Sequence, residues 1–151
     1  MRAICYDRFG PAEEVLKIVN LETPDPNDGE VVVKMYYSGV NPSDAKARAG
    51  LRPGVTKPAF QMIVPHSDGS GVITSVGLGV DKARIGQRVW IWNGQWARAL
   101  GTMAECIVLP STQAVALPDG ISMEAGAAFG IPGLTAAHSL FGGGDLTGKN
   151  V

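Results

Sequence analysis

Short runs of apolar and β-branched residues, broken at close intervals by glycine and proline, dominate the first 120 positions of the chain. Residues 2 to 7 and 15 to 20 read as two short strands joined by the turn-forming Gly10-Pro11. A proline-rich break over 23 to 29 separates them from Glu30-Val31-Val32-Val33-Lys34-Met35-Tyr36-Tyr37, the clearest strand of the chain. Pro42 then sits where a helix tolerates proline, and Ser43 to Ala49 continue one short helix that Gly50 ends. Four prolines and glycines make 51 to 65 a surface loop that could border a pocket. Further strands are predicted over 69 to 76, 85 to 92, 101 to 109 and 113 to 117. Seven or so short strands at this spacing predict a mainly β fold, a closed or nearly closed antiparallel barrel.

The pattern changes at Ser122. A serine cap opens helix-compatible residues to Phe129, and Pro132 to Phe141 suit a second helix. Glycines at 142 to 144 and 148 then form a flexible connection, and Lys149-Asn150-Val151 read as the start of a new strand. The expected division is a domain over 1 to 121 and a helical connection over 122 to 151.

Composition narrows the function classes. A chain of 151 residues, 45% hydrophobic and 18% charged, has the balance of a soluble globular domain with a sizeable core. A net charge of -1 gives no reason to expect nucleic acid or an anionic membrane as partner. The most apolar stretch is interrupted by Pro118, Asp119, Glu124 and Pro132, so no membrane span is predicted. The first residues lack the apolar block of a secretory signal, which makes a cytoplasmic location the expectation. Cys5 and Cys106 lie far apart, outside zinc-site spacing, and read as reduced, half-buried strand residues.

Two side chains stand out as candidate chemistry. His66, at the end of the loop and just before a strand, is either a hydrogen-bonding or proton-handling group on a pocket wall or a histidine that stabilises the turn. Asn41, between a strand and a helix, offers a donor and an acceptor to a polar ligand, or simply caps the helix. Asp68 reads as serving backbone geometry beside Gly69 and Gly71, outside the site. With His66 the only obvious ligand near this region, a catalytic zinc is not expected. Gly-x-Ser-x-Gly occurs nowhere, which leaves hydrolysis unsupported. Trp90, Trp92 and Trp96 read as core and rim packing rather than a stacking platform.

Four motifs in order, Gly39-Val40-Asn41-Pro42-Ser43-Asp44, Pro65 to Gly71, Gly86-Gln87-Arg88-Val89 and Ala127 to Ala136, resemble the quinone oxidoreductase (zeta-crystallin-like) branch of the medium-chain dehydrogenases/reductases. The resemblance implies a GroES-like, partly open β-barrel that normally precedes a Rossmann domain. It implies NADPH as hydride donor and quinones or other conjugated carbonyl compounds as acceptors. Zinc alcohol dehydrogenases of the superfamily carry a cysteine ligand where this chain has Asn41, so metal-free hydride transfer is the implied reaction. In the zinc-free branch the asparagine matching Asn41 lies beside the cofactor and the threonine matching Thr135 approaches the nicotinamide. Lys46 stands where that branch often has tyrosine, either supplying charge to the cofactor or pointing to solvent. His66 is the candidate proton donor, and the intact enzyme is a possible homo-oligomer. A Gly-x-Gly-x-x-Gly turn for the pyrophosphate would follow Val151, so the 151 residues by themselves are expected neither to bind NADPH tightly nor to reduce quinones. The alternatives are a stand-alone barrel acting as a binding or assembly module and a zinc-dependent alcohol dehydrogenase.

Overall fold

The computed structural model describes residues 1 to 150; Val151, the end of the expected final strand, lies outside the described residues, and Lys149 and Asn150 are not in a strand. Among the described residues the chain forms seven strands and four short α-helices: β1 (Arg2–Cys5), α1 (Ala12–Val15), β2 (Lys17–Asn20), β3 (Glu30–Gly39), α2 (Pro42–Arg48), β4 (Asp68–Val76), β5 (Arg88–Ile91), β6 (Cys106–Pro110), β7 (Ala114–Ala116), α3 (Met123–Gly126) and α4 (Leu134–Phe141). β1 and β2 pair as one small sheet, and the other five form an antiparallel sheet in the order β6-β3-β4-β5-β7.

β3 is the spine because its valines can be buried on a strand paired along both edges. Val31 and Val33 are fully enclosed and meet Ile73, Val89, Ile91, Ile107, Leu109 and Ala114 in the main core. The alternation predicted from sequence is visible in β5 and β6, where Val89, Ile91, Ile107 and Leu109 point inward and their neighbours do not. Truncating one of the enclosed isoleucines to alanine would cost about 2–5 kcal/mol.

The five-stranded sheet ends at β6 and β7, which do not pair with each other, so the partly open barrel is the form found and full closure is not. The small sheet covers the rest with two satellite clusters, one around Ala3, Cys5 and Val64 and one around Tyr6, Val15 and Ile63. Cys5 and Cys106 are both free thiols.

Several boundaries move, each for a local reason. The second predicted strand begins only at Lys17, because Ala12 to Val15 make one helical turn that drives Val15 into the interior. The strand predicted over 85 to 92 shortens to Arg88–Ile91, since Gly86 takes a φ of +89° as the chain leaves a tight 3-10 turn. The first half of the strand predicted over 101 to 109 is irregular. There the amides of Gly101, Thr102 and Met103 turn instead to the carbonyls of Val64, His66 and Pro65, at 2.8, 2.9 and 3.2 Å. Ser122 Oγ does cap α3, accepting from the Ala125 amide at 3.2 Å, but that helix is a single turn. A kink at Gly130 (ψ -106°) then delays the next helix to Leu134.

Candidate functional site

Beyond Lys34, β3 loses its β6 neighbour and continues beside β4 alone as far as Gly39, with a register shift between Met35 and Tyr37. A bulge of this kind bends a strand and re-aims its side chains. The freed end of β3, the start of α2, and the segment from α3 to Pro132 enclose a cleft of about 250 Å³. Its walls include Tyr37, Ser38, Asn41, Asp68, Glu124 and Pro132.

Asn41 leaves the strand in extended conformation and stands as the N-cap of α2, with Pro42 at the first helical position. Its own amide N–H donates to Asp44 Oδ2 at 2.8 Å, which anchors the helix start and leaves the side chain free to turn inward. Asn41 Nδ2 then donates to Asp68 Oδ2 at 2.7 Å. Asn41 is thus the cap of α2 through its backbone, while its side chain lines the cleft.

Asp68 is wholly enclosed. Its Oδ2 also accepts from the Ile131 amide at 2.9 Å, while Oδ1 has no partner. Burial pushes the Asp68 carboxyl above its ordinary range, and the hydrogen bonds from Asn41 and Ile131 pull it partly back. A second negative charge on Asp44 adds to the upward push. The chain approaches this carboxyl so closely that side chains are excluded: a Cβ on Gly130 would stand 2.1 Å from Asp68 Oδ1. Asp68, expected to serve backbone geometry, lies at the floor of the cleft.

His66 is placed behind this wall. It is buried, takes a left-handed φ of +75°, and does not line the cleft. Its Nδ1 lies 2.9 Å from Ser38 Oγ, which is itself 2.8 Å from Thr102 Oγ1. Thr102 Oγ1 donates to the Asp68 carbonyl at 2.6 Å. Burial lowers the His66 pKa from its ordinary value, against a weaker upward pull from Asp44, which favours the neutral ring. Lys46 and Thr135 are both exposed, and neither lines the cleft.

At the rim, Tyr37 donates its hydroxyl to Glu124 Oε1 at 2.5 Å, joining β3 to α3. This bond is the first cause of a lowered Glu124 pKa and of a raised Tyr37 pKa. The three tryptophans do not form one surface. Trp90 packs edge-on against Phe129 with centroids 5.9 Å apart, Trp92 Nε1 donates to the Thr112 carbonyl, and Trp96 is exposed.

A larger cavity, about 380 Å³, lies on the other side of the β3 end between Ile18, Met35, Tyr36 and Met103. It shares Tyr37 and Ser38 with the cleft. Among the described residues no three histidine, cysteine or acidic side chains come together as metal ligands do. No helix among them is long and apolar enough to cross a membrane.

An open antiparallel sheet whose longest strand, β3, runs into a cleft floored by a buried amide and carboxyl defines a GroES-like fold. The chain belongs to the alcohol dehydrogenase GroES-like domain family, whose model matches residues 27–119. Its relatives bear out the motif resemblance to the quinone oxidoreductase branch. It is 36% identical to the quinone oxidoreductase of Rattus norvegicus over 142 residues, 93% of this chain and 41% of that protein. Among solved structures it is similar to the quinone oxidoreductase of Pseudomonas syringae pv. Tomato DC3000, with a TM-score of 0.82 and 32% identity over 95% of this chain and 42% of that one. It is similar also to the Escherichia coli quinone oxidoreductase complexed with NADPH, with a TM-score of 0.81 and 28% identity over 96% of this chain and 42% of that one. The chain thus spans about two fifths of the length of the relatives it matches.

Proposed function

We propose that these residues form the N-terminal, acceptor-binding portion of an NADPH-dependent oxidoreductase that passes hydride to quinones or other conjugated carbonyl compounds without a metal. The observation that carries this reading is the Asn41 amide at the cleft floor, held at 2.7 Å by a buried carboxyl. Likeness to quinone oxidoreductases, one of them complexed with NADPH, supports it.

The residues present fit one end of such a cofactor. A cleft of about 250 Å³ is small beside the 300–1,000 Å³ typical of ligand sites, so it suits a single flat ring with its acceptor rather than a whole dinucleotide. Asn41 and Ser38 would face that ring, and Asp68 would hold the Asn41 amide in one orientation. When bound, a reduced nicotinamide supplies the hydride. The chain supplies position and a walled cleft, which is where such a reaction gains most from a protein. Zinc has no comparable support, since an amide at 41 and a hydroxyl at 38 are poor ligands for it. His66 belongs in this reading as a source of protons and Thr135 and Lys46 as residues near the cofactor, with a boundary near residue 121, a cytoplasmic location and a homo-oligomeric whole enzyme.

A stand-alone binding module has weaker support. Helical residues 122 to 141 would have to cover an apolar face: Gly126, Ala127 and Gly130 are buried, yet α4 buries none of its residues and exposes Leu134 and Phe141. The test is to titrate the 151 residues and the intact protein separately with NADPH and to follow quinone reduction. Tight binding and turnover by the intact protein alone are expected. Micromolar NADPH affinity in the 151 residues, or stoichiometric zinc in the purified protein, would defeat the proposal.

A further inference from the structure

Ser38, Thr102 and His66 form a chain of hydrogen bonds whose direction is fixed by proton counting. Thr102 Oγ1 spends its only proton on the Asp68 carbonyl, which can only accept. In its 2.8 Å contact with Ser38 Oγ, Thr102 must therefore accept. That commits the single Ser38 proton, so Ser38 Oγ must in turn accept from His66 Nδ1–H across 2.9 Å. The neutral ring thus carries its proton on Nδ1 and leaves Nε2 with a lone pair. Among the described residues Nε2 has no protein partner, and it is not among the enclosed unpaired atoms, so it meets solvent. Ser38, at the other end, lines both the cleft and the cavity behind β3. The left-handed backbone of His66 is one that a non-glycine residue adopts at a cost, and it holds the ring in this line.

We propose that Ser38 is the group that protonates the acceptor and that His66 recharges it, a proton path from solvent to the cleft. The proposal rests on the oxidoreductase reading above and adds the source of the second hydrogen. An acceptor that has taken a hydride on carbon from a reduced nicotinamide carries negative charge on oxygen. The Ser38 hydroxyl swings from Thr102 to that oxygen and gives up its proton. His66 Nδ1–H passes its proton to Ser38 Oγ, and water protonates His66 at Nε2. The acceptor gains one hydride and one proton, the nicotinamide is oxidised, and His66 ends neutral as the other tautomer, to be restored through solvent. Ser38 is the catalytic residue of this path and His66 a positioning and proton-carrying one.

Two measurements on the intact protein test it. Nitrogen-15 NMR of the histidines should show His66 neutral at pH 7 with its proton on Nδ1, the less favoured tautomer of a free histidine side chain. Ser38→Ala should turn it into a mixture, and Ser38→Thr, which keeps the hydroxyl, should preserve it. In quinone reduction Ser38→Ala should lower kcat about 10-fold to 100-fold with KM little changed, and Ser38→Thr should restore most of it. A wild-type ring protonated on Nε2, or a Ser38→Ala kcat within twofold of wild type, overturns the path while leaving the oxidoreductase reading standing. An Nδ1–H tautomer in a protein that reduces no quinone or enone overturns both.

Discussion

Asn41 and Asp68, 27 positions apart in sequence, meet through a 2.7 Å hydrogen bond that joins the start of α2 to the start of β4. The carboxyl is enclosed and one of its oxygens is already unpaired, so the bond from Asn41 is one of few things making its burial tolerable. Asn41→Leu removes that donor and is expected to destabilise the protein by about 1–3 kcal/mol. Urea denaturation midpoints of the two proteins check this. An unchanged midpoint would show that the carboxyl does not depend on Asn41.

The same carboxyl gives stability a pH dependence with a definite sign. Its pKa is raised in the folded protein, so the folded state binds this proton more tightly than the unfolded one. The Asp68 contribution is complete below the ordinary carboxylate value of 3.8 and is lost as pH rises through the elevated folded value. Asp68→Asn, which cannot ionise, should abolish that loss. The difference in Tm between wild type and variant should therefore widen in favour of the variant from pH 4 upward and then level off.

Gly130 is required by proximity. A methyl group there would meet Asp68 Oδ1 at 2.1 Å, Asp68 Cγ at 2.6 Å and the Ile91 carbonyl at 3.0 Å, and none of these can retreat easily. Gly130→Ala should cost about 1–3 kcal/mol or more. Gly143→Ala, where nothing lies within 4 Å, is the matched control and should leave the denaturation midpoint nearly unchanged.

Tyr37→Phe should release Glu124. The Tyr37 hydroxyl is the first cause of the lowered Glu124 pKa, so in the variant the carboxyl titration should move up towards 4.5. In wild type this lowered value means a contribution present above 4.5 and lost as pH falls through the folded value. Carbon-13 NMR of the Glu124 carboxyl in both proteins reads the shift directly, and no movement would show that the rim contact is not formed in solution.

His66 combines an unfavourable backbone with a useful side chain. His66→Ala loses the Ser38 bond and keeps the φ of +75°, whereas His66→Gly loses the bond and relieves the backbone. The glycine variant should be the more stable of the two by about 1 kcal/mol in calorimetry.

β3 was legible because three successive valines beside a proline-rich break leave little alternative to a buried strand, and Ser122 announced its helix by the usual serine cap. Asn41 was legible as a junction residue: its backbone makes the cap while its amide turns to Asp68 at the cleft. Asp68 was not legible as site floor. Its meaning comes from Asn41 and Ile131, brought to it from 27 and 63 positions away, and local pattern carries no such information. His66 was found as a histidine before a strand, but the bond to Ser38, 28 residues distant, and the exclusion of its ring from the cleft belong to tertiary packing. Residues 101 to 105 alternate like a strand, but the first three turn to the carbonyls of the loop ending at His66 while Met103 and Glu105 bond to β1.

One oxygen, Asp68 Oδ2, receives both the Asn41 side chain and the Ile131 backbone. Ile131 lies just before α4, so the course of the chain into that helix is fixed in part by this oxygen. The side chain at the head of α2 and the backbone ahead of α4 are thereby tied at a single atom, and neither can shift without disturbing the bond the other makes.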